Sequence, residues 1–128
     1  MKKALVVDDE RDARDFVRAI LEGEGWNVEE AANGDLGLKA AKSIKPDLVV
    51  LDVQMPQRDG FDVFSELSRD ADLKDTRVIM LTGVAAKVGI RFSKEEMGEF
   101  LGREPDAYVE KPIDPEAFKR VVRKVTGT

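Results

Sequence analysis

Short apolar segments alternate with helical patterns along the chain, and this alternation constrains the fold more than any other feature of the sequence. These segments contain branched apolar side chains, as is typical of strands, although the second, WNVEEA, predicts a weaker, edge-like strand. Five of them can be distinguished, at residues 4–7, 26–31, 47–52, 77–82 and 107–110. Alternating strands and helices predict a doubly wound α/β fold, with a parallel sheet and helices on both faces.

The segments between the strands carry apolar residues at helical spacing. The first predicted helix ends at Gly23 and Gly25, and its apolar face contains Ala13, Phe16, Val17, Ile20 and Leu21. Asn33 is positioned to cap the second helix, which ends before Pro46 and carries Leu36, Ala40, Ala41 and Ile44. Two further apolar faces follow at helical spacing: Phe61, Phe64 and Leu67, and later Phe118, Val121, Val122 and Val125.

Composition excludes several kinds of chemistry. The 128 residues include no cysteine and no histidine, which removes thiolate catalysis, cysteine zinc sites and a histidine general base. The net charge of −5, with 21 basic and 26 acidic residues intermingled, argues against an intrinsic nucleic-acid surface. No segment has the length of a membrane span, so we expect a cytoplasmic protein with no membrane contact.

Polar side chains lie at the ends of four of the five predicted strands. They are Asp8 and Asp9 after the first, Asp52 in the third, Thr82 in the fourth and Lys111 after the fifth. Because the carboxyl ends of parallel strands meet at one edge of a sheet, we expect these side chains to lie together.

Three carboxylates in such a cluster need a cation. At an effective dielectric constant of about 20, each close pair repels by roughly 4 kcal/mol. A site built from oxygen ligands selects a hard divalent ion such as Mg²⁺, which also recruits phosphate oxygens. A carboxylate beside that ion can attack phosphorus, while a lysine and a threonine bind the phosphoryl oxygens. The residues therefore predict acceptance of a phosphoryl group.

Four segments, VVDDE, LDVQMPQRDG, VIMLTG and YVEKP, occur in the order and spacing of a known family. In these segments the chain resembles the receiver domain of bacterial two-component response regulators, in particular chemotaxis regulators. The resemblance covers essentially the whole chain. It implies a flavodoxin-like three-layer fold whose five parallel strands have the order 2-1-3-4-5.

The resemblance also implies a role for each polar residue. Asp52 would be the phosphoacceptor and a Mg²⁺ ligand together with Asp9. Asp8 would contribute through water, and the backbone carbonyl of Gln54 would complete the protein ligands.

Further roles follow for residues near the ends of the last two strands. Thr82 and Lys111 would hold the phosphoryl group. Tyr108 matches the family's switch aromatic, which turns inward when the threonine moves toward the phosphate. The Lys111–Pro112 peptide matches a bond that is usually cis in this family.

The implied function is signalling rather than turnover of a substrate. A sensor histidine kinase or histidine phosphotransfer protein would supply the phosphoryl group, and phosphorylation would change the surface offered to an unidentified protein target. The chain would assist its own phosphorylation and dephosphorylation, as a monomer or a phosphorylation-dependent dimer. Because it ends soon after the last predicted helix, we expect one receiver domain over residues 1–128 and no output domain.

Three other functions are compatible with some of the same residues. A phosphatase or phosphotransferase of the haloacid-dehalogenase type also uses an aspartate at a strand end, but it needs a second aspartate where Gln54 stands. An FMN-binding module needs a phosphate loop rich in Ser, Thr and Gly, whereas the first loop here reads DDERD. A purely structural interaction module would not require this set of polar residues.

Two features have open interpretations. The basic stripe of Arg11, Arg14 and Arg18 on the first helix is either a solvated face or part of a kinase-docking surface. Residues 83–104 exceed the length usual in a receiver, and a capping box at residues 93–96 predicts a short helix over residues 94–101. The extra length of this segment indicates either a tolerated insertion or a functional loop.

Overall fold

A single parallel sheet organises the molecule. The computed structural model describes residues 2–56, 58–83 and 105–127. Five strands lie in the order β2-β1-β3-β4-β5, and all neighbouring strands are parallel. They are β1 (Lys3–Val7), β2 (Asn27–Ala31), β3 (Leu48–Asp52), β4 (Arg77–Thr82) and β5 (Ala107–Glu110). The predicted fold class and strand order are confirmed.

Four helices are described, and they cover the two faces of the sheet. They are α1 (Arg11–Gly23), α2 (Gly34–Ile44), α3 (Gly60–Arg69) and α4 (Pro115–Thr126). One apolar core contains side chains of α2 and α3, and the other contains side chains of α1 and α4. Burial on both faces explains why the residues of β3 are apolar without alternation.

Short polar side chains cap three of these helices, and one of these caps was predicted from the sequence. The Asn33 side chain accepts a hydrogen bond from the Leu36 amide at 2.8 Å, which confirms the predicted cap of α2. Asp59 and Asp114 make the equivalent contact at the start of α3 and α4. Because these caps define where the helices begin, they also define how long the preceding loops at the sheet edge can be.

Two apolar residues assigned to buried helix faces are exposed, and these assignments were wrong. Phe16 is 44% exposed and Leu36 is 49% exposed. In α2 the buried stripe includes Gly37, where an added Cβ would lie 2.9 Å from the methyl groups of Val7. The helix approaches β1 along this glycine, so Leu38 is buried and Leu36 points outward.

Part of the extended segment lies outside the described residues. The helix predicted over residues 94–101 is among these, and so is most of the segment from residue 83 to residue 104. Among the helices that the structure describes, none combines the length and hydropathy needed to cross a membrane.

Candidate functional site

The polar residues predicted from the strand ends meet at one edge of the sheet. Asp52 is the last residue of β3 and pairs in register with Leu81 of β4, next to Thr82. The amide of Lys111 donates to the Thr82 carbonyl at 2.7 Å, which extends the contact between β4 and β5 beyond the strands. Regular parallel pairing therefore brings three distant parts of the chain to the same edge.

The Lys111 ammonium lies between two buried carboxylates. Its Nζ is 3.1 Å from Oδ2 of Asp8 and 3.2 Å from Oδ1 of Asp52. Asp8 is completely buried and Asp52 is 4% exposed. Buried carboxylates normally require a partner, and here one lysine serves both of them.

One lysine does not fully compensate the negative charge. Burial, followed by repulsion from Asp8, raises the pKa of Asp52 to about 6, although Lys111 acts in the opposite direction. For Lys111, burial opposes the charged form, but the carboxylates of Asp52 and Asp8 outweigh it and raise the pKa of the ammonium. The site therefore holds more negative charge than its own lysine neutralises.

The loop after β1, residues 8–10, forms an acidic loop. Carboxylate oxygens of Asp8, Asp9 and Glu10 lie within 4.8 Å of one another, a group that does not include Asp52. The Glu10 amide donates to Oδ1 of Asp8 at 2.9 Å, which folds the loop back on itself. Glu10 was not among the residues predicted from the sequence, although its position directly after Asp9 was a visible signal.

This donor set fits a hard divalent cation. The acidic loop and Asp52 supply carboxylate oxygens only, and the pKa of Asp52 stays above its ordinary value even with Lys111 beside it. Gln54, whose carbonyl was predicted as a ligand, follows β3 in an exposed position. The excess of carboxylates over cationic side chains is the observation that favours a metal ion here.

Gly60 packs closely against the backbone at the end of β3. The Gly60 amide donates to the Val53 carbonyl at 2.9 Å, so the start of α3 packs directly on the residue after Asp52. An added Cβ on Gly60 would overlap the Asp52 carbonyl oxygen and lie 2.9 Å from the Val53 Cα. The position of Asp52 thus depends on a close backbone contact that only glycine permits.

The predicted switch residues stand on neighbouring strands. Thr82 ends β4 and is 7% exposed. Tyr108 in β5 pairs in register with Met80 of β4, and its partly buried ring packs against the core on the α2 and α3 side. The Lys111–Pro112 peptide is cis, as the resemblance implied.

The match to a known family agrees with this geometry. Residues 4–123 match the family model of the response regulator receiver domain. The chain belongs to this family. Receiver domains act in two-component signalling, so the predicted resemblance and signalling class are confirmed. Both the sheet order and the acidic edge of this receiver domain are consistent with that assignment.

The relatives include regulators of different length. The receiver domain is 31% identical to protein PilH of Pseudomonas aeruginosa, over 98% of each chain. It is 35% identical to the alkaline phosphatase synthesis transcriptional regulatory protein PhoP of Bacillus subtilis, over 97% of this chain and 48% of that protein. The first curated relatives are matched in the same way, since the chain spans about half of their length.

Solved structures support the same assignment. The chemotaxis protein CheY4 of Vibrio cholerae superposes on this receiver domain with a TM-score of 0.82 and 29% sequence identity, over 98% of each chain. The fold and the family are thus shown together, by the matched residues and by the superposition.

One basic residue of the receiver domain contacts the site in a way that the sequence did not reveal. Nη1 of Arg14 donates to the backbone carbonyl of Asp8 at 2.7 Å, and the Arg14 side chain is 15% exposed. Arg11, by contrast, is 83% exposed in its side chain. The solvated-face interpretation therefore fits Arg11 and does not fit Arg14. No sequence signal could have located the contact, because its acceptor is a backbone carbonyl.

Asp52→Asn should stabilise the metal-free receiver domain at neutral pH. Because the pKa of Asp52 is raised to about 6, the folded state holds the proton more tightly than the unfolded chain does. Below the pKa that Asp52 has in the unfolded chain, the carboxyl group is protonated in both states and does not reduce the free energy of unfolding. The free energy of unfolding then falls as the pH rises through about 6, the pKa of Asp52 in the folded state. We expect Asp52→Asn to gain about 2 kcal/mol near neutrality, since the buried amide retains part of the desolvation cost.

Urea unfolding in EDTA at about pH 4 and at about pH 7.5 measures this difference. The gain should be small at the acidic pH and larger at the neutral pH. Equal stability of wild type and Asp52→Asn at both values would show that ionised Asp52 carries no penalty in the fold.

Proposed function

We propose that this receiver domain accepts a phosphoryl group on Asp52 from a phosphorylated histidine of a partner protein, in a reaction that requires Mg²⁺. The supporting observation is the buried pair of carboxylates, Asp8 and Asp52, that share the Lys111 ammonium at 3.1 and 3.2 Å. A sensor histidine kinase or a histidine phosphotransfer protein is the expected donor.

Asp52 acts as the nucleophile. One carboxylate oxygen attacks phosphorus, the bond between phosphorus and the histidine nitrogen breaks, and an acyl phosphate forms while the imidazole keeps the electron pair. The attack requires the ionised carboxylate. Since the pKa of Asp52 is about 6, most molecules carry the ionised form at neutral pH even without a metal ion.

The acidic loop and the residues after β3 supply the metal ligands. The carboxylates of Asp9 and Asp52, Asp8 through water, and the Gln54 carbonyl would hold Mg²⁺. When bound, the ion offsets the charge of the carboxylates and of the phosphoryl oxygens. Glu10 lies close enough to Asp8 and Asp9 to add negative charge to the same loop.

Lys111 and Thr82 would bind the phosphoryl group from the other side. Lys111 already places its ammonium 3.2 Å from the Asp52 oxygen, so it can donate to a phosphoryl oxygen attached there. Thr82 stands on the neighbouring strand, and its hydroxyl supplies a hydrogen bond. These contacts stabilise the phosphorylated product, and the contact with Thr82 couples phosphorylation to the position of β4.

The response would pass from Thr82 to Tyr108. The two residues lie on paired strands, and Tyr108 packs against the core from the edge strand β5. A rearrangement of this pair would alter the surface formed by β5 and α4, to which a protein target binds. This assigns the chain a switching role without turnover of an external substrate.

The phosphatase alternative has no comparable support. Its general acid and base would occupy the position of Gln54, whose amide has no titratable group. Among the described residues, no second aspartate stands two positions after Asp52.

Intact-mass spectrometry with a small phosphoryl donor tests the proposal. We expect acetyl phosphate with Mg²⁺ to add one phosphoryl group, and EDTA to prevent the addition. The physical reason is that three carboxylates repel a phosphoryl dianion until a cation offsets their charge. A stable adduct formed equally well in EDTA would contradict the proposed metal dependence. No adduct in either condition would contradict the phosphoacceptor role.

A further inference from the structure

We propose that Arg14 is a positioning residue that holds the peptide between Asp8 and Asp9 and thereby sets the affinity of the acidic loop for Mg²⁺. This inference rests on the proposed function. Its basis is a chain of contacts from the Asp8 carbonyl through Arg14 to Glu30 of β2.

Every polar group of Asp8 takes part in a hydrogen bond. Its amide donates to the Ala31 carbonyl at 3.1 Å, and its carbonyl accepts from Nη1 of Arg14 at 2.7 Å. Its two carboxylate oxygens accept from the Glu10 amide and from Lys111. The contact with Arg14 differs from the others because it restrains the carbonyl, which lies beyond the paired part of β1.

Restraint of this carbonyl affects both aspartates. The Asp8 carbonyl and the Asp9 amide belong to one planar peptide unit, whose ends are the Cα atoms of Asp8 and Asp9. A charge-assisted hydrogen bond at 2.7 Å therefore restricts rotation of that plane. Because the two side chains leave from its ends, the rotation also determines how their carboxylates are placed relative to each other.

Arg14 is itself anchored on the neighbouring strand. Its Nε lies 3.2 Å from Oε1 of Glu30, and Nη1 of Arg18 lies 2.6 Å from the other oxygen of the same carboxylate. The pKa of Glu30 is lowered, first by the hydrogen bond from Arg18 and also by the one from Arg14. Glu30 stands opposite Val6 of β1, two residues before Asp8. The guanidinium is thus tied to the sheet and is not a free surface group.

The ion pair between Arg14 and Glu30 also affects the electrostatics of the metal site. A lone guanidinium next to the acidic loop would repel a divalent cation. Glu30, which also pairs with Arg18, offsets part of that charge, while Nη1 of Arg14 donates to the Asp8 carbonyl. A lysine could supply one donor but lacks the planar fork that reaches both acceptors at once.

Arg14→Ala and Arg18→Ala form a matched pair for the test. Both variants lose an ion pair with Glu30 from the same helix, and only Arg14→Ala loses the contact with Asp8. Isothermal titration calorimetry with Mg²⁺ alone should show a dissociation constant about tenfold higher for Arg14→Ala, as is typical when the support of a metal ligand is removed. Arg18→Ala should stay within about twofold of wild type on the same reasoning.

A second measurement separates positioning from general stability. In metal-free protein, the ¹⁵N shift of the Asp9 amide reports on the Asp8 carbonyl, because both lie in one peptide plane. We expect this resonance to move in Arg14→Ala and to stay in place in Arg18→Ala. Arg14→Lys serves as the second variant if Arg14→Ala does not fold, and it should weaken Mg²⁺ binding to an intermediate degree.

The outcomes distinguish the two proposals. Wild type that binds Mg²⁺, together with equal affinities of Arg14→Ala and Arg18→Ala, would overturn the role of Arg14 and leave the proposed function standing. Arg14→Lys with the affinity of wild type would overturn it in the same way. Wild type that binds no Mg²⁺ would overturn the proposed function, and the role of Arg14 with it.

Discussion

Asp52→Asn is expected to abolish formation of the phosphoryl adduct when the receiver domain is incubated with acetyl phosphate and Mg²⁺. An amide oxygen is a poor nucleophile and cannot form the acyl phosphate that the carboxylate forms. The substitution keeps the shape of the side chain at a position that is 4% exposed. Lys111 then retains its contact with Asp8, so the loss reflects chemistry rather than collapse of the site.

Asp75→Asn is the matched control for this experiment. Asp75 is exposed and precedes β4, at the end of the sheet opposite to Asp52. The Asp75→Asn variant should be phosphorylated to the same extent as wild type, as judged by intact-mass spectrometry. Peptide mapping then locates the modified residue. An adduct of undiminished yield on Asp52→Asn would place the phosphoacceptor elsewhere.

Gly60→Ala should destabilise the receiver domain by about 3 kcal/mol, the upper part of the range for overpacking a close contact. The added Cβ would overlap the Asp52 carbonyl oxygen and approach the Val53 Cα to 2.9 Å. Both obstacles are backbone atoms, which cannot rotate away as a side chain does. Relief requires a shift of α3 or of the end of β3, and either shift breaks the hydrogen bond from the Gly60 amide to Val53.

Gly23→Ala provides the comparison. Gly23 is the last residue of α1, and an added Cβ there meets nothing within 4 Å. We expect this substitution to be neutral or to stabilise by up to about 1 kcal/mol, because alanine is the better helix former. Urea unfolding of both variants measures the free energies. If Gly60→Ala is as stable as Gly23→Ala, the close contact beneath Asp52 does not constrain the fold.

The strands, the end of α1 and both ends of α2 could be predicted because they depend on local chemistry. Branched apolar runs predicted all five strands, and the side chain of Asn33 predicted the start of α2. The buried faces of helices were predicted less well. Phe16 and Leu36 fit a helical pattern, yet both are exposed, because burial also depends on how closely a helix approaches the sheet. At Gly37 that distance is determined by Val7, a residue on another element.

In the candidate site, too, residues with a local sequence signal were predicted, whereas contacts between separate elements were not. Asp8, Asp9, Asp52, Thr82 and Lys111 were identified from the sequence because strand ends are local features and parallel strands end at one edge. Glu10 was missed although it is adjacent to Asp9. Arg14 was assigned to a basic stripe, since nothing in its neighbours along the chain indicates an acceptor on Asp8.

By itself, the sequence determined the fold class, the family and the residue types at the edge of the sheet, because these depend on patterns of neighbouring residues. Only the tertiary structure decided that Lys111 lies between Asp8 and Asp52, that Gly60 packs on Val53, and that Arg14 reaches the Asp8 carbonyl. Each of these contacts joins separate elements, and two of the three involve backbone atoms. Backbone groups are the same in every residue, so such contacts leave no signature in the order of side chains.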